Sequence, residues 1–599
     1  MPNCFERFRY IKKDKKTEDN CNSDNCHVEN SNSSSVTGNV PELLIGNAKL
    51  LEERLKRYED ENEQISSTTT LIDRVTYLRK NRENDVSKAI ANVEDSMNVD
   101  LCFVLDCTSS MLGHIQAAKD HILKVANYVN SNNSNIKFWV GFCGYRDHND
   151  QDRLQIFDFT NSIKKFETYI TNKVEAKGGE DLPEDVLGGL SAAITMMTWS
   201  NATRILIHIG DAPPHGRCFT EGVNLPNKYD RYPNGDPYGL TAKSVLKEMQ
   251  SKNILYHFGM INNTTDVMIN IFREIIGEFT VFDLKTTGSN PSILVDKFCK
   301  ATSSAIFSSV TLTTTLRNSK SIHNLQLKKL EINPLEPDWT TLPEKIGEIL
   351  CYVPPETLNE VKDEFYFINS NFTVQNISFK LAPQPFSVGA ERYAFFALDA
   401  KLGQDKKLVI KKYHDIKASS MEQYLESVEI FSIAYFLSNK FNIAAKRVGV
   451  NKKVTFIDVK VLCDKTDFNT YYTVEKYIND IEFKRFNVNS GIITEFHSIL
   501  EAFAHFTYQY TKGYLVVYDL QGGNLHDEFL LTDPAIHCID LLRFGTTNLG
   551  KNGIQKCFLA NHKCNNICKK LKLNEVNSER KKDGNLFRKI LNALICASK

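Results

Sequence analysis

Four short apolar runs constrain this chain more than any other feature: Leu101–Leu105, Phe138–Phe142, Arg204–Ile209 and Ile254–Phe258. Each is too short for a helix, is rich in β-branched or aromatic residues, and is separated from the next by helix-length amphipathic sequence. Runs that are apolar on both alternating faces have helices on both sides, which implies an α/β unit with a doubly wound, mostly parallel sheet. Ligands of such sheets sit beyond the carboxyl ends of the strands. Two aspartates fall there, in Asp106-Cys107-Thr108-Ser109-Ser110 after the first run and in Gly210-Asp211 after the third. A carboxylate with hydroxyls two and four residues on can present three oxygens from one tight turn, the ligand type a hard divalent cation requires. The blander alternative is that Asp106 and Thr108 only cap the following helix.

Bulk properties exclude several classes. The 73 basic and 73 acidic side chains cancel, so no net field selects nucleic acid or an anionic membrane. No apolar run approaches the length of about 18 residues needed to cross a bilayer, and Met1–Lys16 lacks the apolar core of a signal peptide. A cytoplasmic protein is expected, reaching any organelle membrane or cytoskeleton only through a partner. The 15 cysteines, an odd number without an export signal, point to reduced thiols or metal ligands.

Composition divides the chain further. Residues 1–40 are dominated by Asn, Ser and charge and are expected to be disordered. In residues 41–96, Leu44, Ala48, Leu51, Leu55 and Tyr58, then Leu71, Val75 and Leu78, recur at helical spacing. A helical hairpin packed on the next domain and a dimer seam both fit that pattern. The α/β unit spans 97–310, and 311–375 reads as a connecting region of strands and turns without a chemical motif. A second domain occupies 376–575, with a tail over 576–599.

The second domain carries the denser chemistry. Gly389 and Arg392 precede a strand ending in Leu408-Val409-Ile410-Lys411. A lysine on a rigid strand after a glycine-containing loop suits a phosphate clamp, although most such lysines merely reach for solvent. Leu515–Tyr518 runs into Asp519-Leu520-Gln521-Gly522, and Thr532-Asp533-Pro534 follows. Two loop carboxylates can divide the labour of phosphoryl transfer, one binding the metal and one orienting the attacking hydroxyl; singly, each is an ordinary turn residue. His562, Cys564 and Cys568 offer an imidazole and two thiols at short spacing, a donor set zinc prefers, with buried apolar cysteine as the alternative. No P-loop and no ordinary kinase signature is found; Arg543-Phe544-Gly545 lacks the aspartate of that motif.

The order D-L-Q-G, T-D-P-A-I-H, F-G-x-x-N-L-G and H-x-C-N-x-x-C over 519–568 resembles the alpha-kinase family of atypical protein kinases, and D-x-T-x-S at Asp106 resembles the metal-ion-dependent adhesion site of von Willebrand factor A domains. The resemblance implies an A domain followed by an α+β two-lobed kinase that transfers the ATP γ-phosphoryl group to serine or threonine of protein substrates. It implies Lys411 on the nucleotide phosphates with Gly389 and Arg392 nearby, Glu475 in the hinge that holds adenine, Asp519 and Gln521 on magnesium, and Asp533 as the catalytic carboxylate. It adds His505 as the fourth zinc ligand beside His562, Cys564 and Cys568. For the A domain it implies that Asp106, Thr108, Ser110 and Asp211 line a cation that docks a partner protein, with Asp181 standing where other members have a threonine. Two departures, Ser427 in place of a family aspartate and a long loop between Gly523 and Asp533, motivate the alternative of a degenerate kinase fold acting as a binding scaffold.

Overall fold

The computed structural model describes residues 71–576 apart from internal stretches, the longest being 126–135, 222–229, 285–302 and 314–330. The expectations for 1–40, for the first half of 41–96 and for nearly all of the tail lie outside the described residues. The first described element is helix α1 (Leu71–Ser96). Its apolar stripe, Leu78, Val86, Ile90 and Val93, is buried against the chain's own domains, as a packed helix requires. Val86 and Ile90 meet Leu549 and Cys557 of the second domain, Glu94 pairs with Lys556 at 2.7 Å, and Arg82 Nη2 donates to the carbonyls of Thr546 and Asn548 at 2.7 and 3.0 Å.

All four apolar runs are strands. The sheet contains β1 (Asn98–Asp106), β2 (Lys137–Tyr145), β3 (Leu154–Thr160), β4 (Thr203–Gly210), β5 (Ile254–Met260) and β6 (Val281–Asp283), in the order β3-β2-β1-β4-β5-β6. Only β3, at one edge, runs antiparallel. Central β1 is buried from Val99 onward because apolar clusters cover both faces, one around Phe103 and Phe142 and one around Val104 and Leu190.

One strand residue makes acid sensitivity predictable. His208 on β4 is fully buried, with Nε2 2.8 Å from Tyr145 Oη and Nδ1 2.9 Å from Tyr256 Oη. Burial pushes its pKa from 6.5 down to about 3, so it stays neutral in the folded state while an unfolded chain takes up a proton. Its contribution to stability is therefore present above pH 6.5 and is lost as pH falls toward the folded value. Melting temperature should fall between pH 7 and 5, at no more than about 1.4 kcal/mol per pH unit from this group, and His208→Gln should flatten that part of the profile.

The second domain begins earlier than its motifs indicate. Strand β7 (Lys345–Tyr352), inside the stretch read as a connector, and β8 (Phe372–Leu381), which starts in it and crosses its boundary, pair along eight residues and belong to the kinase sheet. Their polar-apolar alternation carries no chemical signature, which is why the sequence left them unassigned. With β9 (Ser387–Val388), β10 (Arg392–Asp399), β11 (Lys407–Tyr413), β13 (Val459–Asp464) and β14 (Thr470–Lys476), they form an antiparallel sheet ordered β11-β14-β13-β7-β8-β10-β9, and a further β10–β11 pairing closes it on itself. Below it lie the long helix Met421–Arg447, helix Ser498–Tyr510 and two small sheets. One is β12 (Lys453–Phe456), β18 (Glu528–Thr532), β17 (Gln521–Asn524) and β15 (Phe483–Arg485); the other is β16 (Leu515–Tyr518) with β19 (Ala535–Cys538). Among the described residues no helix is long and apolar enough to cross a membrane.

Candidate active site and metal centres

The two small sheets are two halves of one interrupted ladder. Tyr518 pairs with Ala535 and Gln521 with Thr532, so residues 519–520 and 533–534 face each other across the break. Asp519 and Asp533 sit there with φ of +54° and +44°. Left-handed backbone is unfavourable for a non-glycine residue and is retained where surrounding structure over-determines it, commonly at functional sites. The motif residues come together around this break. Lys411 Nζ lies 2.7 Å from Asp533 Oδ2 and 2.9 Å from Glu475 Oε1, and Arg392 Nη2 donates to Asp533 Oδ1 at 2.8 Å. Gln521 Nε2 donates to the Asp533 carbonyl at 3.0 Å, leaving its Oε1 as the available acceptor. Glu475, expected at the hinge, has its carboxylate engaged by Lys411 and by the Thr532 hydroxyl at 3.2 Å. Gly389 is at the turn that joins β9 to β10, its N–H donating to Arg392 O at 2.8 Å.

Arg485 is a member of the site that sequence reasoning did not find. Its guanidinium forks onto Asp519, with Nε to Oδ1 at 3.0 Å and Nη2 to Oδ2 at 3.1 Å. It precedes the D-L-Q-G strand by more than thirty positions and reaches it through the β15–β17 pairing, where Arg485 lies opposite Gln521. The two aspartates are held in different states. Burial raises Asp519 to about 6 despite Arg485. Burial pushes Asp533 upward as well, but Lys411 and Arg392 outweigh it and hold the carboxyl down at about 2. Lys411 is depressed by burial and raised more strongly by Asp533 and Glu475, so it stays protonated. Ser427 sits beside this cluster, 3.5 Å from Arg392 Nη1 and 2.9 Å from Tyr413 Oη.

The four expected zinc ligands also converge. One donor atom from each of His505, His562, Cys564 and Cys568 lies within 4.8 Å of the others. Cys564 Sγ is 3.7 Å from His505 Nδ1, and Cys568 Sγ is 3.7 Å from His562 Nε2. Glu501 Oε2 stands 3.5 Å from His562 Nδ1, the position of a carboxylate that orients a metal-bound imidazole. His537, by contrast, is a packing residue: it accepts the Leu549 N–H and lies 3.1 Å from the Asn489 carbonyl.

At the carboxyl end of the A-domain sheet, Asp106 Oδ1 accepts from the Thr108 N–H and hydroxyl at 2.9 and 2.6 Å. Thr108 Oγ1 is 3.1 Å from Ser110 Oγ, which donates to Asp211 Oδ1 at 2.9 Å. Asp106 Oδ2 is buried without a hydrogen-bond partner. Burial, and then the Asp211 carboxylate, raise the Asp106 carboxyl to about 7. Asp181 does not take the place expected of it. Its Oδ2 accepts the Arg231 N–H at 2.7 Å, tying it to the 230 loop. Glu184 instead approaches Thr108: the backbone bridge to Pro214 holds it beside the 211–214 segment. A Cβ built on Gly179 would meet both the Glu184 carboxylate and Thr108. The Glu184 carboxyl is buried and raised to about 11, by burial first and then by Asp106. Sequence spacing could not separate two acids three residues apart in a loop.

Comparison with known proteins identifies the two domains. Residues 387–568 match the alpha-kinase family model, and residues 100–225 match a von Willebrand factor A domain model. The chain is 33% identical to alpha-protein kinase vwkA of Dictyostelium discoideum over 84% of this chain and 82% of that protein. It is 33% identical to myosin heavy chain kinase B of the same organism over 36% of this chain and 29% of that protein. A solved alpha-kinase from Entamoeba histolytica is 31% identical, covering 40% of this chain and 94% of that one with a TM-score of 0.35. The chain belongs to the alpha-kinase family and is an atypical protein kinase with a von Willebrand factor A domain ahead of its catalytic domain.

Proposed function

We propose that the ion-paired group Lys411, Arg392, Glu475 and Asp533 is the phosphoryl-transfer centre, using ATP to modify serine or threonine of a protein substrate. The observation that carries this reading is the sharing of Asp533 between Lys411 and Arg392, with Asp519 held separately by Arg485. Every charge of this group has a partner from the chain itself. Phosphate oxygens compete for Lys411 and Arg392, and as these cations turn toward phosphate, Asp533 loses the pairs that keep its pKa near 2 and becomes a better acceptor for a substrate hydroxyl. A weak base suffices, because a loose transition state asks mainly for orientation of the nucleophile. Asp519 and the Gln521 carbonyl oxygen supply the ligand type magnesium takes, and the ion would neutralise phosphate charge when bound. Glu475 restrains Lys411 from the far side, next to the strand end where the adenine hinge is expected.

The test is incorporation of labelled phosphate from Mg-ATP into a basic acceptor protein. Lys411→Ala should raise the KM for ATP and lower kcat by about 10²-fold or more, the loss typical of a preorganised charge removed from a transition state. Turnover by Lys411→Ala within a few-fold of the native rate overturns the assignment. The scaffold alternative is not favoured, because Ser427 remains in contact with Arg392 and the charge cluster is complete around it.

For the A domain, the proposal is a magnesium site formed by Asp106, Thr108, Ser110 and Asp211, with Glu184 rather than Asp181 as the additional acid. The site docks a protein partner that contributes a carboxylate. Cytoplasmic residence and a role for 41–96 in self-association belong to the same reading as expectations. Adding magnesium to chelator-treated protein should raise the melting temperature of the native chain. Asp106→Asn should melt higher than the native chain in chelator, since a surplus buried charge is gone, and should show no further rise with magnesium. A magnesium response retained in Asp106→Asn would exclude this site.

A further inference from the structure

A second group of ligating side chains lies on the same face of the A domain and takes no part in the centres above. Asp147 and His148 follow β2, His215 follows β4, and all three are buried. One donor atom from each lies within 4.8 Å of the others, and the two imidazole rings are 5.2 Å apart. His215 carries a carboxylate on each ring nitrogen: Nδ1 is 2.8 Å from Asp230 Oδ1, and Nε2 is 2.8 Å from Asp147 Oδ1. Both acids are tied to the main chain: Asp230 accepts the Tyr232 N–H on Oδ1 at 2.9 Å and the Gly216 N–H on Oδ2 at 3.0 Å, and Asp147 Oδ1 accepts the His148 N–H at 2.7 Å. They differ at the second oxygen, since Asp147 Oδ2 is buried with no hydrogen-bond partner.

A carboxylate anchored outside, an imidazole between, and a second acid with an unpartnered oxygen inside is how proteins orient a metal-bound histidine. We propose that Asp147, His148 and His215 form a second cation site in the A domain, taking zinc or a similar borderline divalent ion, with Asp230 as the orienting outer carboxylate. The donor set decides the ion. Two nitrogens and one carboxylate suit zinc and leave a position open, whereas the all-oxygen set at Asp106 suits magnesium. Arg153 Nη1, 3.3 Å from His148 Nδ1, competes for that ring but has Asp185 Oδ2 at 3.0 Å as its alternative partner. The competing account is a buried imidazolium pinned between Asp147 and Asp230 with no metal at all.

Metal analysis of the full chain separates the two. The Asp106→Ala background removes the oxygen site, and the protein is dialysed against zinc and then, after exchange, against cobalt. The expected content is about two zinc ions per chain, one at the thiolate site of the kinase and one here. His215→Gln and Asp147→Asn should each remove about one. The cobalt lost in these variants should be the one with visible d–d absorption and no thiolate charge-transfer band. An Asp106→Ala chain holding a single ion, with thiolate charge transfer, overturns the proposal in favour of the imidazolium. Because that result is read with Asp147, His148 and His215 intact, misfolding of the His215→Gln or Asp147→Asn variant does not blunt it. A single ion without thiolate absorption supports this site while overturning zinc at Cys564 and Cys568, so the two assignments fail separately.

Discussion

Asp533→Ala is expected to lower kcat by about 10³-fold while leaving Mg-ATP bound at least as tightly as in the native protein. A positioned carboxylate acting on the nucleophile contributes roughly 10²–10⁴, and Asp533 is shared by Lys411 and Arg392. Both cations pair with Asp533, so the carboxylate competes with nucleotide phosphate for them as well as serving the acceptor. Removing it frees Lys411 and Arg392 for phosphate, with Glu475 still restraining the lysine at 2.9 Å. Affinity and turnover should therefore move apart. Loss of both together would mean that the variant disturbs the fold at the positive-φ turn, and Asp533→Asn, which keeps the side-chain shape, distinguishes that case. Turnover by both variants within about ten-fold of native would remove Asp533 from the chemistry.

Loss of the thiolate–imidazole centre should have the largest effect on stability. Cys568 is fully buried in the core of the lower lobe with Phe503 and Phe544, and His505 is anchored on helix Ser498–Tyr510. A zinc ion there would tie the 562–568 segment to that helix across about sixty residues of sequence. Cys568→Ser or prolonged chelation leaves the buried imidazoles of His505 and His562 without the ion that would join them to the thiolates, and burial of unpaired polar groups costs several kcal/mol. The expected result is loss of one equivalent of zinc, a fall in kinase-domain stability of about 3–5 kcal/mol and abolished phosphotransfer, comparable to breaking a buried ion pair. An unchanged melting curve in Cys568→Ser, with full activity, would show the four residues to be ordinary core.

Local sequence carried much of this. The four strands of the A sheet were legible because residues buried on both faces leave unbroken apolar runs, and Asp106 and Asp211 were legible because strand ends fix where loop side chains go. The kinase motifs and the His562, Cys564, Cys568 group were legible because each is a compact cluster of uncommon residues, whereas His505, nearly sixty residues earlier, was pointed to only by the family resemblance. Strands β7 and β8 were not, since a half-exposed strand such as Phe372–Leu381 looks like any alternating loop until it has a partner.

What the chain determined by itself was therefore the identity of the reactive groups and the elements on which they ride. Tertiary structure alone decided which charges meet: that Arg485 and not another base holds Asp519, that Glu184 and not Asp181 approaches Thr108, and that Arg82 of α1 reaches the carbonyls of the 546–548 turn. The reason is physical. Side-chain type and strand propensity act over a few residues, whereas an ion pair is specified by the register between strands far apart in sequence, and a shift of one residue sends a side chain to the opposite face.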